Sequence, residues 1–129
     1  MRTVLIVDDT EASAAALELV CAAIPALAVR TASSALAAVA ILCDPGVSIC
    51  AVLTDIRMPQ MDGFELIRFI RGDERLAAVP IVAVTADTDP ATPERAALLG
   101  ANAFFAKPFS PRAVRETLER LLDAHPLPE

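Results

Sequence analysis

A single carboxylate, Asp55, stands between the apolar run Ser48–Thr54 and a turn that reads Ile56-Arg57-Met58-Pro59-Gln60-Met61-Asp62-Gly63. Other residues of reactive type follow further apolar runs: Asp8 and Asp9 after Val4–Val7, Thr85 after Val79–Val84, and Lys107 after Asn102–Phe105. Three carboxylates gathered in one cleft repel by about 4 kcal/mol per pair at roughly 4 Å in an effective dielectric near 20, unless a cation intervenes. Lys107 supplies one positive charge. Hard oxygen ligands with open positions suit Mg²⁺, which keeps several waters and accepts phosphate oxygens. A free carboxylate, a divalent cation, an amine and a hydroxyl together are equipped for phosphoryl transfer onto the carboxylate.

The elements that must position these groups follow from hydrophobic period. Five short apolar runs, Val4–Val7, Leu27–Thr31, Ile49–Thr54, Val79–Val84 and Asn102–Phe105, read as strands, and the segments between them have helical spacing. Leu17, Val20, Cys21 and Ile24 mark a first helix with Asp9 or Thr10 as N-cap and Pro25 as its stop. A second begins after Ser33 or Ser34. Asp62 and Glu65 form a capping-box pair for the third, and Gly72 stands where its C-terminal cap would fall. Thr92-Pro93 opens the fourth, which ends at Gly100, and Ser110-Pro111 opens the fifth. Strands spaced by a crossover helix predict five βα units: an α/β, doubly wound domain with one five-stranded parallel sheet. In such sheets ligands bind beyond the carboxyl ends of the strands, where the winding reverses. In the order 2-1-3-4-5, Asp8, Asp9, Asp55, Thr85 and Lys107 all fall on the contiguous 1-3-4-5 portion.

Composition sets the remaining bounds. A chain of 129 residues that is 55% apolar makes one domain with a full core. We place that domain at 1–124 and a tail or linker stub, with a solvated His125, at 125–129. The three cysteines lack CxxC spacing and sit in apolar segments, which predicts buried, reduced thiols. Val4–Val7 is too short for a signal-peptide core or a membrane span, so a soluble cytoplasmic protein is expected. A net charge of −6 without a basic cluster argues against direct nucleic-acid binding.

Val7-Asp8-Asp9, the Asp55–Gly63 loop, Thr85-Ala86 and Gly100–Phe109 with Lys107-Pro108 occur in an order and spacing that resemble the receiver domain of two-component response regulators, from Thr3 to about Asp123. The resemblance implies a flavodoxin-like fold and a phosphorylation-dependent signalling switch. Asp55 would be the phosphoacceptor. Asp8, Asp9, Asp55 and the backbone carbonyl of Arg57 would hold Mg²⁺, and Lys107 and Thr85 would contact the phosphoryl group. The Lys107–Pro108 bond would be cis, and Thr85 with Phe104 would form the switch pair. A sensor histidine kinase or histidine phosphotransfer protein would donate, docking near the first helix. The surface of helix four, strand five and helix five would then change toward a downstream target or a linked output domain, with homodimerisation as a further option. Transfer and autodephosphorylation would be self-catalysed, which does not make the domain an enzyme in the usual sense.

Arg57, Ala86 and Asp87 line the expected pocket, and the first and last are predicted to pair across its mouth, slowing hydrolysis of the acyl phosphate. Phe104 lacks the hydroxyl of a tyrosine, so switching would rely on ring packing. An aspartate-nucleophile hydrolase would want a second acid at position 57, which is arginine here. A flavin module would want donors, not acids, after strand one. The alternative kept open is a receiver-like interaction module that is not phosphorylated.

Overall fold

A computed structural model describes residues 2–124. Five strands, β1 (Arg2–Val7), β2 (Leu27–Ala32), β3 (Ala51–Thr54), β4 (Ile81–Thr85) and β5 (Ala103–Ala106), form one parallel sheet in the order β2-β1-β3-β4-β5. Five helices alternate with them: α1 (Glu11–Ala22), α2 (Ala35–Cys43), α3 (Gly63–Gly72), α4 (Thr92–Leu99) and α5 (Pro111–Ala124). The doubly wound expectation and its strand order hold.

The apolar runs are continuous because the central strands are buried on both faces. Val4 and Ile6 of β1, Leu53 of β3 and Val82 and Val84 of β4 point into one core with Leu17, Val20 and Cys21 of α1 and Val114 and Leu118 of α5. Leu5, Val7, Val52, Ile81 and Ala83 point the other way, into a core with Ala35 and Ala38 of α2, Leu66, Ile67 and Ile70 of α3 and Ala96 of α4. The small side chains of α2 let that helix lie close to the sheet.

Several local readings are met and several corrected. Ser34 caps α2 by accepting from the Ala37 N–H, Asp62 and Glu65 make both halves of a capping box on α3, and Ser110 accepts from the Ala113 N–H at the start of α5. Thr10 is the N-cap of α1 but makes no side-chain cap bond. Gly72 is not a C-cap: it is the last residue of α3, and the extended Asp73 follows it. Thr92 is not an N-cap either, because Ala91 occupies that position and Thr92 is the buried first residue of α4. Gly100 does end α4, in the left-handed conformation. β4 starts at Ile81, not Val79, since Val79 N–H closes a turn onto Leu76 O and Pro80 has no N–H for the ladder. Likewise β3 begins at Ala51 and β5 at Ala103. Cys21 and Cys50 are buried as expected, but Cys43, at the end of α2, is exposed. The tail 125–129, with His125, lies outside the described residues, and no helix among the described residues is long and apolar enough to cross a membrane.

Candidate functional site

Parallel pairing places the ends of β1, β3, β4 and β5 side by side. Val7 is opposite Thr54, so Asp8 and Asp55 leave adjacent strands at the same level. Thr85 is opposite Ala106, which brings Lys107 to that level as well. Residues 99 positions apart therefore meet: Lys107 Nζ donates to Asp8 Oδ2 at 2.9 Å, and also to Asp55 Oδ2 at 3.2 Å and to Ser13 Oγ of α1 at 3.1 Å.

The loop after β3 holds the second Asp55 oxygen. Asp55 Oδ1 accepts from the backbone N–H of Ile56 at 2.6 Å and of Arg57 at 3.3 Å, while the Thr54 hydroxyl donates to the Asp55 carbonyl. Asp8 Oδ1 accepts from the Thr10 N–H. Both carboxylates are buried, whereas Asp9 is exposed at the rim. Burial by itself would pull the Lys107 ammonium down, but hydrogen bonds and charge from Asp8 and Asp55 outweigh it and hold the amine above the ordinary lysine value.

Carboxylate oxygens of Asp8, Asp9 and Asp55 lie within 4.8 Å of one another. Three hard oxygen donors, one of them at the solvent edge, fit a divalent cation such as Mg²⁺ that keeps part of its hydration shell. The Arg57 peptide lines the same pocket, since its N–H already reaches Asp55.

Thr85 is buried at the end of β4, and its hydroxyl oxygen accepts from the Asp87 N–H at 3.2 Å. Phe104, on β5, pairs with Ala83 two residues before Thr85 and is half-buried against the same core. The Lys107–Pro108 peptide is cis. Ala86 is exposed at the mouth, and there Arg57 Nε and Asp87 Oδ2 meet at 2.7 Å, as their positions led us to expect. The Asp87 carboxyl is held below the usual carboxylate range by the Asp89 backbone N–H first and the Thr92 hydroxyl next, with Arg57 contributing.

The residues read from sequence are thus brought together, and three more join them. Ser13 bonds Lys107, Thr54 buttresses the Asp55 carbonyl, and Thr92 bonds Asp87. None had a sequence signal of its own: Ser13 lies inside a helix, Thr54 inside a strand, and Thr92 reads as a cap. Beside the site a groove of 780 Å³ runs between α1 and α5, lined by Ser13, Ala16, Leu19, Lys107, Phe109 and Arg112, among others. Leu19 of α1 is 74% exposed, so the groove presents an apolar side chain to solvent, and Ser13 and Lys107 connect it to the site.

Comparison with known proteins agrees with this geometry. The transcriptional regulatory protein GltR of Pseudomonas aeruginosa is 40% identical over 81 residues, covering 63% of this chain and 33% of that protein. The chemotaxis protein CheY1 of Helicobacter pylori is 35% identical over 71 residues, covering 55% of this chain and 57% of that one. The matches thus span a third to just over half of these relatives' own lengths. A response regulator receiver protein from Pseudomonas putida superimposes with a TM-score of 0.81 at 31% identity, over 92% of this chain and 96% of that one. The family model for the response regulator receiver domain matches residues 4–119, nearly all of the described chain, and the protein belongs to that family.

Proposed function

We propose that this chain is a phosphorylation-dependent signalling switch in which Asp55 accepts a phosphoryl group from a phosphohistidine partner. The convergence of Lys107 with Asp8 and Asp55, beside Asp9, carries the reading. An Asp55 carboxylate oxygen attacks phosphorus, the P–N bond of the donor breaks, and the imidazole nitrogen leaves with the bonding pair. Asp8, Asp9, Asp55 and the Arg57 carbonyl would hold Mg²⁺, which when bound supplies positive charge to the transferring phosphoryl oxygens. Lys107 neutralises a further part of that charge and keeps the carboxylates together before transfer. The Thr85 hydroxyl, now an acceptor for the Asp87 N–H, turns to donate to a phosphoryl oxygen, and the Phe104 ring packs into the space behind it.

The donor, a sensor histidine kinase or a histidine phosphotransfer protein, docks along the groove between α1 and α5, which reaches the site at Ser13 and Lys107 and exposes Leu19. The surface of α4, β5 and α5 then changes toward a downstream target, a linked output domain or a second copy. Residues 1–124 form the receiver unit and work in the cytoplasm. Hydrolysis of the aspartyl phosphate is self-catalysed.

Intact mass after incubation with Mg²⁺ and acetyl phosphate tests this on wild type and Asp55→Asn. One base-labile phosphate on the wild type and none on the variant is expected. No adduct on folded wild type would overturn the reading in favour of an interaction module that is not phosphorylated.

A further inference from the structure

Helix α4 is weakly anchored, with only Thr92 and Ala96 of its residues buried. Its N-terminus has no side-chain cap at Ala91; instead the Thr92 hydroxyl reaches back and donates to Asp87 Oδ2 at 2.9 Å. The same oxygen receives Arg57 Nε at 2.7 Å, from the loop that carries the acceptor carboxylate. Asp87 Oδ1 accepts from the Asp89 N–H, and Asp89 in turn accepts from the Ala91 N–H through its side chain and from the Thr92 N–H through its carbonyl, so local hydrogen bonds link Asp87 to the start of α4. A second contact runs in parallel: the Arg95 guanidinium of α4 lies 4.1 Å from the centre of the Phe64 ring, and the Arg57 guanidinium stands 5.8 Å from it.

We propose that Arg57, Asp87 and Thr92 form a strap that fastens the first turn of α4 to the acceptor loop, and that phosphorylation of Asp55 opens it. This rests on the functional reading above for its trigger, but not for its existence. Two pulls converge on Asp87 when Asp55 is modified. A phosphoryl group brings more negative charge than a single carboxylate, and Arg57, 54% exposed in its side chain and two residues from Asp55, is free to turn toward it. The Thr85 hydroxyl, which accepts from the Asp87 N–H, leaves that bond when it turns to the phosphoryl group. Asp87 then loses both ties to the site, and α4 is left held by the buried Ala96, the packing of Leu99 against the core and the Arg95–Phe64 contact. An ion pair at a surface is a weak lock, worth at most about 1 kcal/mol, which suits a device that has to open.

Amide hydrogen exchange of the full chain tests this, followed over Thr92–Leu99 while intact mass is recorded on the same samples. Without phosphodonor, Arg57→Gln and Thr92→Val should each speed exchange of the first turn of α4 by about threefold to fivefold, the range that a lock of this strength allows. The double variant should add little to either single one, and Arg57→Lys and Thr92→Ser should restore most of the protection. With Mg²⁺ and acetyl phosphate, wild type should move to the level of the variants, and the variants should move little. Unchanged exchange in both single variants would show that no strap exists, whatever the state of Asp55. Phosphorylated wild type, proven by mass, with α4 as protected as before would show that phosphorylation does not open it. Absence of the adduct would sink the trigger along with the functional reading, while the variants without donor still decide the strap.

Discussion

Lys107 and Asp55, 52 residues apart in the chain, meet at 3.2 Å because β5 and β3 both flank β4 in a parallel sheet and end at one level. The amine also bonds the buried Asp8, so it is the cation that lets two buried acids share one pocket. Removing it should cost about 2–3 kcal/mol, below the full cost of orphaning a buried ion-pair partner because Lys107 is partly exposed. In urea titrations Lys107→Ala should unfold earlier than wild type, and saturating MgCl₂ should recover most of the loss by supplying the missing charge. Equal losses with and without MgCl₂ would contradict a cation site at Asp8, Asp9 and Asp55.

Gly63 and Gly72, at the two ends of α3, should respond oppositely to alanine. A Cβ at Gly63 would overlap the Asp55 carbonyl oxygen and the Ile56 Cα, where the Gly63 N–H also bonds Ile56 O. Gly63→Ala should therefore lower stability by about 1–3 kcal/mol, as overpacking does, and weaken Mg²⁺ binding by displacing Asp55. Nothing lies near a Cβ at Gly72, which is helical, so Gly72→Ala should raise stability by about 0.5–1 kcal/mol. Thermal unfolding of the two variants checks the pair of signs.

Arg71 closes the opposite end of the molecule. Its guanidinium donates to the carbonyls of Ala77, Val79 and Gly100 and to Asn102 Oδ1, tying the loop after α3 to the turn before β5. Arg71→Lys keeps the charge but cannot serve four acceptors with one rigid fork, and should cost about 1–3 kcal/mol. Because this end is far from Asp55, phosphorylation by acetyl phosphate should be unchanged in folded protein. A neutral effect on the urea midpoint would show that water replaces these bonds at no loss.

Thiol chemistry separates the three cysteines. Burial pushes the Cys21 thiol from its ordinary 9.0 up to about 11, with Cys50 and Glu18 adding to the shift, and burial raises Cys50 too. At pH 8 a thiol-alkylating reagent should label exposed Cys43 quickly, and Cys21 and Cys50 only through opening of the fold. A thiol whose folded value is raised stays protonated while the unfolded chain ionises. Its contribution to stability is present below pH 9 and falls away as pH rises toward 11. Cys21→Ala should flatten that decline in urea midpoints measured between pH 8 and 11.

Much of this protein is legible in the order of residues. Short apolar runs bounded by turn residues read as strands, and the helical periods between them imply parallel crossovers. Reactive residues that follow those runs then arrive at one edge of the sheet. Asp8, Asp9, Asp55, Thr85 and Lys107 are readable for that reason, and so are the capping pair Asp62 and Glu65, whose partner is three residues away. Even the pairing of Arg57 with Asp87 follows from their equal offsets beyond Asp55 and Thr85. What depends on distance through space is not readable in this way. Ser13 meets Lys107, Arg71 meets Gly100, and Thr92 turns from an apparent cap into a buried partner of Asp87, because only the packing of α1, α3 and α4 against the sheet decides which polar atoms face one another. Local periodicity determines where chain elements begin and which face they bury. The tertiary structure decides which hydroxyl or guanidinium finds a partner, since each such bond joins atoms whose separation along the chain carries no signal.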